Sequence, residues 1–72
     1  TNVDATINAI RKYKNKNIAL ILGGDSKGQN LTPLFDEIKD YNITLYLIGK
    51  DMPLFEKLAK RYKIKHHLNK TL

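Results

Sequence analysis

Three features of this 72-residue chain predict an α/β fold, a three-layer Rossmann-like unit with a short parallel sheet in the order αβαβαβ. Stretches with apolar residues three and four apart alternate with short apolar runs, the pattern of helices interleaved with strands. The first run, Ile18-Ala19-Leu20-Ile21-Leu22, carries no charge and reads as a strand covered on both faces, as parallel strands usually are. The helical stretches between the runs are about ten residues long, enough for right-handed crossovers between parallel strands. If both crossovers step the same way along the sheet, the second and third helices share one face. The first helix then has to cover the other.

Taken in order, Thr1 and Asn2 precede a helix in which Val3, Ile7, Ile10 and Tyr13 share a face. Asn15-Lys16-Asn17 breaks that pattern and leads into the first strand. After a glycine-rich loop, Thr32 followed by Pro33 reads as a capping hydroxyl and a first-turn proline. Leu34, Phe35, Ile38 and Tyr41 form the apolar stripe of the second helix, and its Asp36 and Glu37 read as a solvated face. Asn42 ends that helix. Ile43 to Ile48, rich in β-branched and aromatic residues, is the second strand. Asp51 is placed to cap a third helix with Leu54, Phe55, Leu58, Ala59 and Tyr62 on one face, and Ile64 to His66 is a weak third strand.

The glycine-rich loop, Gly23-Gly24-Asp25-Ser26-Lys27-Gly28, follows the first strand directly. Glycines leave amide N–H groups uncovered, so an anion can approach the main chain closely, and Lys27 adds a movable positive charge. Gly23 and Gly28 have the spacing of a P-loop, but Gln29 and Asn30 stand where that motif needs Lys and then Ser or Thr. The order of a dinucleotide fingerprint is also lacking. Lys27 is better placed for a carboxylate or a single phosphate than for a triphosphate. The plain alternative is a glycine-rich turn with a solvated lysine. Ligands of parallel sheets bind beyond the carboxyl ends of the strands, where this loop and Gly49-Lys50-Asp51 both emerge. Lys50 reads as an ordinary loop lysine.

Composition narrows the partners. Thirteen Lys and Arg against seven Asp and Glu give a formal charge of +6, which raises nucleic acid as a partner. The cations, however, gather at the ends of the first helix (Arg11, Lys12, Lys14, Lys16) and the last (Lys60, Arg61, Lys63, Lys65), where they oppose helix dipoles. Phe35 and Phe55 fall on apolar faces and do not interleave with them as a stacking platform would. No nucleic-acid partner is therefore expected. His66 and His67 point to opposite faces of a strand with no third ligand apparent, so no metal site is expected. The longest apolar run is far short of the ~20 residues of a membrane span, and there is no signal-peptide core. Without cysteine the chain suits a reducing compartment, so it is read as soluble, without a membrane partner, and cytoplasmic.

Thr1-Asn2-Val3-Asp4-Ala5-Thr6, Ile21-Leu22-Gly23-Gly24-Asp25-Ser26-Lys27-Gly28, Leu31-Thr32-Pro33-Leu34 and Leu45-Tyr46-Leu47-Ile48-Gly49 together resemble the C-terminal domain of Mur ligases. The glycine loop followed by a Pro-Leu helix start is most similar to the branch that adds D-glutamate. The resemblance covers almost the whole chain and implies that residues 1–72 are the N-terminal half of that amino-acid-binding domain, inactive alone. It implies that Lys27 and Thr1 contact D-glutamate, with Gly23, Gly24, Asp25 and Ser26 as further loop contacts and no catalytic residue in this segment.

For the full-length enzyme the resemblance implies ATP and magnesium, with UDP-N-acetylmuramoyl-L-alanine and D-glutamate as substrates. The precursor's carboxylate would be phosphorylated, and the amine of D-glutamate would attack the acyl phosphate. None of these cofactors is expected on this segment, which lacks the family's Asp-Ser-Lys-Ala before Thr1 and its later Ser-Pro-Ala-type segment. An unpaired sheet edge makes self-association the expected behaviour of the isolated segment. The competing reading is a free-standing basic α/β module that binds RNA or a phosphorylated ligand.

Overall fold

The computed structural model describes residues 2–23 and 28–69. Six elements follow one another as α1 (Val3–Arg11), β1 (Ile18–Leu22), α2 (Thr32–Ile38), β2 (Ile43–Leu47), α3 (Met52–Arg61) and β3 (His66–Leu68). The strands form one parallel sheet in the order β1-β2-β3. The α/β class, the alternating order and the parallel pairing are thus those predicted.

The layering is not. Ile18, Leu20 and Leu22 of β1 stand in register with Ile43, Leu45 and Leu47 of β2, and these six residues face the helices. Val3, Ile7 and Ile10 of α1 join the same core as Leu34, Phe35 and Ile38 of α2 and Phe55 and Ala59 of α3. All three helices therefore lie on one side of the sheet, and the unit has two layers among the described residues. Burial in β1 alternates along the strand, with Ala19 and Ile21 exposed on the open face, so the reading of β1 as covered on both sides is corrected as well. Continuous apolarity cannot separate a strand buried twice from one whose second apolar face lies open. It is α1 that departs from the expected layering, packing beside α2.

Local chemistry explains the boundaries. Asn2 caps α1, its Oδ1 accepting the Ala5 N–H at 3.0 Å. Thr32 does not cap α2 but is its first helical residue; Asn30 Oδ1 accepts the Thr32 N–H at 3.0 Å instead. Asp51 holds the N-cap position of α3, without a capping hydrogen bond from its side chain. Tyr13 lies past the end of α1 and is exposed, whereas Tyr41, just beyond α2, is buried. Leu54 is exposed on α3.

The third strand starts at His66, two residues later than Ile64. The reason is how α3 stops. Lys63 adopts a left-handed conformation (φ 57°), its N–H donates to the Lys60 carbonyl, and the Ile64 N–H donates to the Ala59 carbonyl at 2.9 Å. This paired closure is a Schellman motif, and Ile64, buried, is its apolar plug rather than a strand residue. A lysine is strained in that conformation and glycine is not. Lys63→Gly is therefore expected to stabilise the chain by about 0.5–1 kcal/mol after the glycine's extra unfolded-state freedom is deducted. Denaturant unfolding checks this: the midpoint should rise without a change in slope.

Candidate functional site

Parallel pairing carries the ends of all three strands to one rim. The Ile48 N–H donates to the Leu22 carbonyl and the Asn69 N–H to the Leu47 carbonyl, both at 2.9 Å, so Gly23, Ile48 and Asn69 stand side by side there. Thr1, Gly24, Asp25, Ser26 and Lys27, the heart of the sequence-based site, lie outside the described residues. Gly23 and Gly28, which bracket the loop, are described. Gly28 takes φ +76°, a conformation open to glycine at no cost. Gly23 is required for a different reason. A Cβ built there would collide with the side chain of Ile48, meeting its Cγ1 and lying 2.9 Å from its Cδ1.

Residues that adjoin the predicted contacts share one groove. Asn2, Val3 and Asp4 at the start of α1 face Gln29, Asn30 and Pro33 at the approach to α2 across an open groove of about 440 Å³. Asn2 follows Thr1 in the chain, and Gln29 and Asn30 follow the Lys27-Gly28 pair. The groove has a carboxylate and three side-chain amides at its edge, beside Val3 and Pro33. Among the described residues no three His, Cys, Asp or Glu side chains converge to hold a metal ion. His66 and His67 do diverge: His66 Nδ1 lies 2.9 Å from the Ile64 carbonyl on the helix side, and His67 stacks on Tyr46 on the open face at 5.2 Å between centroids. Lys50 is exposed at the start of the β2–α3 turn.

The helices that frame the groove are tied together by residues whose role sequence reading missed. Arg11 donates to Glu37 Oε1 at 2.7 Å and the Tyr41 hydroxyl donates to Glu37 Oε2 at 2.6 Å, so one carboxylate joins α1, α2 and the turn after α2. The Arg11 guanidinium, with the Tyr41 hydroxyl second, holds the Glu37 carboxyl down at about 2. The same bond pushes the Tyr41 hydroxyl above its usual range. Between α2 and α3, the Tyr62 hydroxyl donates to Asp36 at 2.7 Å, which raises its own titration, and its ring tilts against Phe35 at 5.7 Å. The four-residue spacing of Glu37 and Tyr41 was a usable local signal. The pairs Arg11–Glu37 and Asp36–Tyr62 span 26 residues each and leave no local trace.

No protein-family model matches the chain. Individual proteins do. It is 52% identical over 64 residues to the UDP-N-acetylmuramoylalanine–D-glutamate ligase of Helicobacter pylori strain J99, covering 89% of this chain and 15% of that protein. The ligase of the same name from Campylobacter jejuni strain 81-176 is 45% identical over 65 residues, covering 90% of the chain and 16% of the relative. That of Coxiella burnetii strain Dugway is 39% identical over 70 residues, or 93% and 16%. The chain is similar to a segment of the D-glutamate ligases. It spans about a sixth of their length. No helix among the described residues is long and apolar enough to cross a membrane.

The Glu37 clamp makes this ligase-like segment acid-sensitive in a defined window. A carboxyl held at about 2 in the folded chain, against an ordinary 4.5, stabilises the fold fully above the ordinary value. That contribution is lost as pH falls from there through the folded value. Thermal unfolding between pH 5 and pH 2 should accordingly show a shallower loss of stability for Glu37→Gln than for the parent chain, with the curves converging at the acid end. Parallel curves across that range would exclude the clamp as a contributor.

Proposed function

We propose that this chain is part of a cytoplasmic, ATP-dependent ligase that joins D-glutamate to UDP-N-acetylmuramoyl-L-alanine, and that its task is to hold the incoming D-glutamate. The observation that carries the reading is the 52% identity to a D-glutamate ligase over 89% of the chain, which includes the glycine loop. Residues 1–72 would form the first half of the amino-acid-binding domain, with Lys27 and Thr1 on the substrate and Gly23, Gly24, Asp25 and Ser26 lining the approach.

The physical support is consistent with that role. Lys27 belongs to a loop that leaves β1 at the carboxyl rim of a parallel sheet, where such sheets take their ligands. An ammonium group meeting a carboxylate gains a charge-assisted hydrogen bond, and D-glutamate offers two carboxylates. The groove joins the neighbours of Thr1 to the neighbours of Lys27, which favours a common ligand for both. Holding both ends of the amino acid leaves its amine free to meet an activated acyl carbon at short range, where most of the gain from positioning arises. ATP supplies the activation of that carbon. The nucleotide and magnesium are assigned to the rest of the ligase, as the family resemblance implies.

In the full-length ligase, Lys27→Ala should raise the KM for D-glutamate by about tenfold or more while the KM for ATP stays within about twofold. Steady-state kinetics with each substrate varied in turn makes the comparison. Equal loss towards both substrates would show a general defect and defeat the reading.

A further inference from the structure

We propose that Ile48 is a positioning residue for D-glutamate: it lies across Gly23 on the open face of the sheet and thereby fixes the point at which the main chain leaves β1. The inference rests on the substrate-holding role proposed above and concerns a residue outside the glycine motif.

The register makes the geometry specific. Leu22 pairs with Leu47, so the next step along both strands sets Gly23 beside Ile48. Side-chain parity then points position 23 to the same face as Ile21, and position 48 to the same face as Tyr46. Two side chains normally stand next to each other at such a pair. Here one is absent, and Ile48 fills its space: a Cβ at residue 23 would collide with Ile48 Cγ1 and come within 2.9 Å of Cδ1. No contact that close occurs between real atoms, so one of the two residues has to move. Ile48 resists because a β-branched side chain has few χ1 choices. Its backbone is also pinned, the Ile48 N–H donating to the Leu22 carbonyl at 2.9 Å. The added methyl would therefore displace the main chain at residue 23. Gly23 and Ile48 act as a matched pair, one empty and one full, at the origin of the segment that bears the substrate lysine. A displacement of about 1 Å at the start of a substrate-holding loop is enough to lower the efficiency of positioning substantially.

A reciprocal substitution series in the full-length ligase tests this. Gly23→Ala is expected to raise the KM for D-glutamate about fivefold or more, with kcat and the KM for ATP within about twofold. Ile48→Ala, which uncovers Gly23, is expected to raise the same KM about two- to fivefold. In the double variant the new methyl occupies the vacated space, so its KM for D-glutamate should fall back to within about twofold of the parent. A merely structural pair would change kcat and both KM values together. If Gly23→Ala yields no soluble enzyme, recovery of soluble, active ligase by adding Ile48→Ala supports the pairing, and continued insolubility overturns it. Additive effects of the two substitutions, or an unchanged KM for D-glutamate in Gly23→Ala, also overturn it. Lys27→Ala measured alongside separates the premises: if it leaves the KM for D-glutamate unchanged, the substrate-holding reading itself is wrong, whatever the pair does.

Discussion

The burial of one face of β2 governs the rest of the structure. Leu45 and Leu47 have no exposed surface and share one core with Leu34, Phe35 and Ile38, which are equally buried. Truncating a leucine in such a place costs about 2–5 kcal/mol, a large share of the 5–15 kcal/mol that holds a whole small domain together. Among the described residues β2 is also the only strand paired on both edges. Its register therefore dictates where β1 and β3 stop, and so which residues meet at the carboxyl rim. A shift of one residue would turn Leu45 and Leu47 outwards and bring Tyr46 into the core.

The placement of the candidate site follows from that register by short steps. Because the strands are parallel, Gly23 after β1 and Ile48 after β2 are neighbours at the rim. The helices that return from the rim place Asn30 and Gln29 opposite the start of α1. The Arg11–Glu37–Tyr41 clamp then ties α1 to α2 at the far end of the pair. The Arg11–Glu37 pair is exposed at its arginine end, and a pair of that kind is worth little in isolation. The clamp's value lies in joining α1 to α2.

Much of this was legible in the residues. Helical spacing placed Val3, Ile7 and Ile10 together, and β-branched and aromatic enrichment marked β2, because both signals are local consequences of which side chains share a face. Layering was less accessible, since the apolar residues of β1 suit either one covered face or two. The start of β3 was misplaced because the left-handed turn at Lys63 uses a residue that does not advertise it; a glycine there would have done so. Thr32 looked like a cap for sound reasons, but Leu31 holds the N-cap position and Asn30 accepts the Thr32 N–H. Gly23 was noted for its backbone freedom, yet what it provides is room for Ile48. The loop residues Gly24 to Lys27 and Thr1 were singled out by motif alone. They lie outside the described residues.

A crystal structure of the full-length ligase bound to D-glutamate is the sharpest test of the proposal that this segment holds the amino acid at the carboxyl rim of its sheet. A carboxylate of the amino acid is expected within hydrogen-bonding distance of Lys27 Nζ, beyond Gly23 and beside the groove edged by Asn2, Gln29 and Asn30. Density for D-glutamate elsewhere in the enzyme, with the Lys27 ammonium turned to solvent, would contradict it.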